Sequence, residues 1–309
     1  MRAAVIGGSG FIGTHVVAKL LDAGHQVTVV DRHARQEFPE AKCVRADVLG
    51  PGLAEHLDQA EVVFHLAAEA DVDAGARDPL EMTRVNVLGT AAALEAARQI
   101  RARRFFLAST VWVYAAADGV DPVPEDAALR PEAVDHVYTA GKIACEMLVC
   151  SYRRLYGLDY TILRYGIPYG PGMREELVIH RFVRQALAGE AITISGDGSQ
   201  YRQYVWVEDL ADAHVLALSD GARNQTIALE GTEPVSIRDI AEAIRSLVGN
   251  VEITYQPPRP GDFSGRRIEA RRAQEILGWR PTTTFAEGLR EYVAWYRRRS
   301  ELAVGGRPA

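Results

Sequence analysis

Apolar residues in the first half of the chain fall into two alternating patterns. Short, nearly unbroken runs at Ala3–Ile6, Gln26–Val30, Cys43–Ala46, Val62–Ala67, Phe105–Ala108 and Tyr160–Leu163 read as buried strands. Between them, Phe11–Ala23, Glu81–Arg101 and His136–Tyr156 repeat their apolar positions at helical spacing. A strand that is apolar on both sides needs cover on both sides, which a parallel sheet flanked by helices supplies. The predicted fold is α/β with a doubly wound parallel sheet, which takes ligands beyond the carboxyl ends of its strands.

The pattern changes after Leu163. Proline and glycine cluster at Ile167–Gly172, Ser195–Ser199 and Pro257–Gly261, and strands become short and irregular. Helical periodicity persists at Leu177–Ala188, Val207–Leu218, Ile237–Val248 and Phe285–Arg298. Residues 1–165 are therefore expected to form the sheet domain, and 166–309 mainly a smaller C-terminal α/β domain. Parts of the latter, around 201–230, are expected to return to the first core. The tail from Ala303 to Ala309 is expected to fray.

Composition narrows the function classes. The 309 residues are 48% hydrophobic and 25% charged, with a formal charge of −6 and no basic stripe. A nucleic-acid partner is not expected. Cys43, Cys145 and Cys150 show neither CxxC spacing nor an even-numbered framework, which suits reduced thiols and gives no metal site. The first residues lead directly into a strand, leaving no room for a signal peptide. No apolar run approaches the ~20 residues of a membrane span. The expectation is a soluble, cytoplasmic protein with no membrane partner.

Residues 7–13 read Gly-Gly-Ser-Gly-Phe-Ile-Gly between the first strand and the first helix. This is the Rossmann-type phosphate turn. Gly10 lets the backbone approach a pyrophosphate, the helix N-terminus (Phe11, Ile12) offers unpaired N–H groups, and Gly13 allows close packing. The first glycine of the motif can be either Gly7 or Gly8. Asp31 closes the second strand, where a carboxylate accepts from both adenosine ribose hydroxyls and repels a 2′-phosphate. NAD is favoured over NADP, with the adjacent Arg32 as the dissenting charge. Asp47, followed by Val48, either reaches the adenine edge or is a solvated loop acid.

Tyr138 and Lys142 stand four residues apart on one helix face. An ammonium beside a phenol stabilises the phenolate and makes it a usable base near neutral pH. Alone, YxxxK is as easily a packed tyrosine and a surface lysine; beside a dinucleotide turn it becomes specific. The fifth strand ends Ser109-Thr110, and Thr110 can hydrogen-bond the substrate hydroxyl that Tyr138 deprotonates.

The ordered segments GGSGFIG, HLAA (His65–Ala68), VNVLGT (Val85–Thr90), STVWVY (Ser109–Tyr114), YTAGK and LRYGIPYGP (Leu163–Pro171) resemble the extended short-chain dehydrogenases/reductases. More narrowly, they are similar to the NAD-dependent nucleotide-sugar epimerase/dehydratase family. GDGSQYRQYVWVEDLA (Gly196–Ala211), RPGD (Arg259–Asp262) and LGWRP (Leu277–Pro281) extend the resemblance over nearly the whole chain. It implies a catalytic base at Tyr138, a partner at Lys142 and a hydroxyl at Thr110. It also implies a cofactor lining from Leu66, Ala67, Ala68, Asn86, Ser109, Lys142 and Tyr165. Trp112, Ile167, Arg174, Arg202, Arg259 and Asp262 would meet the substrate, the arginines at 202 and 259 holding its diphosphate. Asn86 is equally suited to bracing a helix, and each arginine to a surface salt bridge.

In that family NAD oxidises the sugar at C4, and the 4-keto sugar is then epimerised, dehydrated or decarboxylated. Dehydratases commonly carry acids just after the threonine, and decarboxylases usually a glutamate. This chain has Val111 and Trp112, which points to a 4-epimerase acting on a UDP-hexose or UDP-hexuronate. The alternatives are dehydration or decarboxylation, a 4-ketoreductase of a deoxysugar pathway, and a non-catalytic dinucleotide-binding protein. Departures from the family pattern are Ile167 in place of a diphosphate-binding Asn, Ala115 in place of Gly, and the bulk of Trp112. Arg174 aligns with an arginine that reads the carboxylate in uronate epimerases, and a surface salt bridge explains it equally well. The corresponding family helices form a homodimer bundle, so a homodimer is expected.

Overall fold

The computed structural model describes residues 1–117, 121–258 and 265–305. The chain divides into two compact units, one of Met1–Tyr165, Ala211–Leu229 and Ile268–Arg280, the other of Gly166–Leu210, Glu230–Arg267 and Pro281–Ala309.

The first unit is built on seven strands: β1 (Arg2–Ile6), β2 (Gln26–Asp31), β3 (Lys42–Arg45), β4 (Val62–His65), β5 (Arg104–Thr110), β6 (Asp159–Tyr165) and β7 (Gln225–Leu229). They lie in the order β7-β6-β5-β4-β1-β2-β3, and every pairing is parallel. The direction of winding reverses between β1 and β4, so the connections leaving them diverge and open a crevice at the carboxyl edge. Every residue of β4 and β5 is buried, as strands covered on both faces require.

Helices α1 (Phe11–Asp22), α2 (Gly89–Gln99) and α3 (Val137–Tyr156) flank this sheet. Ala93, Leu94 and Ala97 of α2 join Cys145 and Val149 of α3 in one core cluster with Phe105 and Ile162. The expected helix over 81–101 is broken into a short helix Pro79–Thr83, a wider π turn Arg84–Leu88, and α2. The π turn carries the buried Asn86, and such insertions cluster at functional sites.

Strand β7 is the element that the apolar pattern hid. Its sequence, QTIAL, has only three apolar residues, yet it pairs along its length with β6, Leu229 opposite Tyr165. Ile268–Glu269 also belongs to this unit, pairing with Val123–Pro124.

In the second unit, Tyr201–Trp206 pairs in parallel with Ile167–Tyr169 and antiparallel with Pro234–Ser236. Ile192–Ser195 pairs with Ile253–Gln256. Ser236 and Asp239 form a capping box that starts the helix Ile237–Val248. Tyr169 anchors the aromatic core, with its ring centroid 5.3 Å from those of Trp206 and Phe285.

Candidate active site

The glycine turn is shaped by backbone crowding. Gly7 has φ +85°, and a Cβ there would stand 2.5 Å from the Ala67 nitrogen. A Cβ on Gly13 would stand 2.1 Å from the Gly7 carbonyl oxygen. These two positions admit only glycine. Gly10 is extended and caps α1, leaving the helix N-terminus open to an anion.

Beyond the turn lies a cleft of about 340 Å³ within the first unit. Gly7, Gly10, Asp31, Arg32, Asp47, Val48, Leu66, Ala67 and Ala68 line it, all of them expected from the sequence. Ser9, His33, Arg35, Glu69, Glu81 and Val85 line it as well. Asp31 is held by Ser9 N–H donating to Oδ2 (3.2 Å) and His33 N–H donating to Oδ1 (2.8 Å). Phe11, Ile12 and Gly13 open α1 directly after the turn. The cradle that a Cβ would fill, the helix N-terminus and the terminal carboxylate together fit a dinucleotide.

Tyr138 occupies the first turn of α3 and Lys142 the next. Lys142 Nζ stands 5.9 Å from the Tyr138 ring centroid and donates to the Ala108 carbonyl oxygen at 2.8 Å. Lys142 is buried, and burial pulls its ammonium below the ordinary range, with Cys145 and Glu146 opposing. Thr110, at the end of β5, accepts from Trp112 N–H through Oγ1 (3.2 Å), which keeps its own hydroxyl proton as a donor. Trp112 is half-buried, its indole against the His136 imidazole, with ring centroids 5.3 Å apart.

Three residues expected to line the cofactor have side-chain partners within the protein. The Ser109 hydroxyl donates to Glu146 Oε1 (2.5 Å), inside the core. The Tyr165 hydroxyl pairs with His214 Nε2 (2.6 Å). The Asn86 amide is committed to the main chain of Glu69, accepting from its N–H and donating to its carbonyl, both at 2.8 Å. Asn86 is thus the brace of the segment that follows β4, where Leu66 to Glu69 form the cleft wall.

Sequence reasoning missed the ion pair beneath the site. Glu146 takes a bidentate pair from Arg164 of β6 (3.0 and 2.7 Å) as well as the Ser109 hydroxyl. Burial works against the Arg164 charge, but the Glu146 carboxylate outweighs it and holds the guanidinium above its ordinary range. Two signals were available. Glu146 continues the Tyr138–Lys142 stripe at the next i+4 position, and Arg164 directly follows the run Tyr160–Leu163 on a largely buried strand, which demands a buried partner.

In the second unit, Ile167 and Arg202 lie on adjacent strands, Ile167 being registered against Tyr204. Arg202 Nη1 donates to the Tyr201 carbonyl oxygen (2.7 Å). Arg174 is exposed. Arg259 and Asp262 lie outside the described residues.

Comparison with known proteins agrees with this geometry. The profile of the NAD dependent epimerase/dehydratase family matches residues 3–229. A UDP-glucose 4-epimerase of Mycolicibacterium smegmatis is 34% identical, covering 97% of this chain and 100% of its own. UDP-glucuronic acid decarboxylase 5 of Arabidopsis thaliana is 32% identical over 94% of this chain and 87% of its own. The crystal structure of Thermotoga maritima UDP-glucose 4-epimerase with UDP-glucose superposes with a TM-score of 0.91. It is 31% identical and covers 97% of this chain and 100% of that one.

Proposed function

The chain belongs to the NAD dependent epimerase/dehydratase family, and from that premise we propose that it inverts C4 of a UDP-hexose or UDP-hexuronate, with NAD as its cofactor. The carrying observation is the pair of residues directly after Thr110. Val111 and Trp112 open a 3-10 turn there, and neither side chain can transfer a proton. Elimination and decarboxylation call for an acid at that point, whereas inversion needs only a base, an oxidant and room for the keto sugar to turn. The epimerase and decarboxylase relatives are almost equally similar overall, so these two residues discriminate where identity does not.

NAD supplies reversible oxidation at the sugar carbon. Tyr138 takes the O4 proton and later returns it, so no net proton is needed over a cycle. Lys142, anchored on Ala108, supplies the positive charge that favours the phenolate. Thr110 donates its hydroxyl proton to the same sugar oxygen. Asp31 accepts from the adenosine ribose, and the Gly7–Gly13 turn receives the pyrophosphate. Residues 1–165 make up most of the NAD-binding domain. Residues 166–309 mainly bind substrate, with Arg202 and Arg259 on the nucleotide diphosphate, Ile167 and Asp262 elsewhere along the substrate, and Arg174 on a uronate.

The same reading includes a homodimer and a cytoplasmic location. Leu88, Met147 and Leu155 are 56%, 66% and 71% exposed on the π turn and α3, an apolar face that a second copy covers. Cys43, Cys145 and Cys150 form no disulfide, and no described helix is long and apolar enough to cross a membrane.

Incubation of the purified protein with UDP-glucose, UDP-galactose, UDP-glucuronate and dTDP-glucose tests the reaction. C4 inversion of a UDP-sugar is expected. A 4-keto-6-deoxy product, or carbon dioxide release, without inversion overturns the reading. Sedimentation as a monomer at micromolar concentration overturns the dimer.

A further inference from the structure

His136 has no role in the reaction derived above, yet it heads the helix that carries Tyr138. Its extended backbone (φ −145°, ψ 151°) caps α3, and its side chain makes no capping bond to the helix backbone. Instead Nδ1 lies 2.9 Å from Thr139 Oγ1. Thr139 is only 1% exposed, so its hydroxyl takes its partner inside the protein, and that bond commits Nδ1. Which of the two donates depends on the tautomer, and with Nδ1 committed to Thr139, Nε2 is the ring nitrogen left for a ligand. Among the described residues Nε2 makes no hydrogen bond. The ring is also held by the Trp112 indole, 5.3 Å away, two residues beyond Thr110. Trp112, His136 and Tyr138 each keep part of their surface accessible.

We propose that His136, with its ring proton on Nε2, is a specificity-determining residue that donates to a hydroxyl oxygen of the hexose while the Trp112 indole beside it packs on the sugar's C–H face. This inference rests on the UDP-hexose reading and adds a sugar-binding element to it. The pairing suits a pyranose, which offers an apolar ring face and outward oxygens, and the pair recognises nothing in the nucleotide. Burial lowers the His136 pKa, which favours the neutral ring. A neutral donor suits a hydroxyl and leaves the proton exchange between Tyr138 and O4 undisturbed.

Three variants of the NAD-loaded enzyme separate this from a structural role. His136→Asn keeps an N-cap and an acceptor near Thr139 but removes the distal donor. His136→Gln places an amide N–H near the Nε2 position. His136→Phe keeps the ring against Trp112 without any donor. Steady-state kinetics on the UDP-hexose that the parent turns over, with UDP as competing inhibitor, provide the readout. His136→Asn and His136→Phe are expected to raise KM about three- to tenfold, the loss of one neutral hydrogen bond. Inhibition by UDP should be unchanged, and His136→Gln should recover part of the loss. An unchanged KM in His136→Asn overturns the inference alone, as does an equal loss in all three variants or a parallel weakening of UDP. A parent enzyme that turns over no UDP-hexose overturns the proposed function, and this inference with it.

Discussion

Lys142 Nζ donates to the carbonyl oxygen of Ala108 across 2.8 Å, tying α3 to β5 two residues before Thr110. One bond therefore sets the spacing between the proposed base and the proposed hydroxyl donor. Because the ammonium is buried, its charge reaches Tyr138 with little solvent screening. Lys142→Met removes the charge and keeps most of the volume. Turnover of a UDP-hexose should fall about a hundredfold or more, as loss of an acid–base partner does, while circular dichroism stays unchanged. Retained turnover in a folded variant would refute the pairing of Lys142 with Tyr138.

Asn86 predicts a different failure. Its amide satisfies both main-chain groups of Glu69, so Asn86→Ala leaves a partly buried N–H and C=O unpaired. The expected cost is about 1–3 kcal/mol of stability, read from urea unfolding, with weaker NAD binding because the Leu66–Glu69 wall relaxes. If Asn86 instead touched only the cofactor, affinity would drop with stability intact.

Asp31 should decide which dinucleotide is accepted. Asp31→Asn keeps an oxygen for one of the two donors, Ser9 N–H and His33 N–H, and removes the negative charge. Arg32 and Arg35 already line the cleft and would meet a 2′-phosphate. The preference for NAD over NADP should narrow by about tenfold or more in fluorescence titration, of the order that one charge–charge contact commands. An unmoved preference would show that Asp31 does not read the ribose.

These tests depend unequally on what the sequence displayed. Strands β1, β2, β4, β5 and β6 were legible because each carries a dense apolar run, β3 through the shorter stretch Cys43–Ala46, and the glycine turn because sterics leave no other residue at Gly7 and Gly13. Strand β7 was not, its apolar run being only the three residues that follow Gln225 and Thr226. In the site, spacing along a helix revealed Tyr138 and Lys142. It could not say that Ser109, Asn86 and Tyr165 spend their polar atoms inside the protein. Those assignments depend on partners 37, 17 and 49 residues away in the chain. The Glu146–Arg164 pair hid for the same reason, its partners being brought together by the packing of α3 on β6.

Glu230 makes stability depend on pH in a direction opposite to that of a salt-bridged carboxylate. It directly follows β7, is 6% exposed, and its Oε2 finds no hydrogen-bond partner among the described residues. Burial pushes its carboxyl well above the ordinary range, with the Gly231 N–H opposing. The folded state therefore keeps a proton that the unfolded chain releases above its ordinary carboxylate pKa, about 4.3. Where the folded state binds more protons, stability falls as pH rises, from the unfolded pKa up to the folded one. Glu230→Gln keeps the shape without the ionisation, so it should match the parent near pH 4 and exceed it progressively toward pH 8. Urea unfolding of both proteins across that range is the measurement. A gap that stays constant with pH, or a variant less stable at pH 8, would mean that Glu230 is ionised and paired in the folded protein.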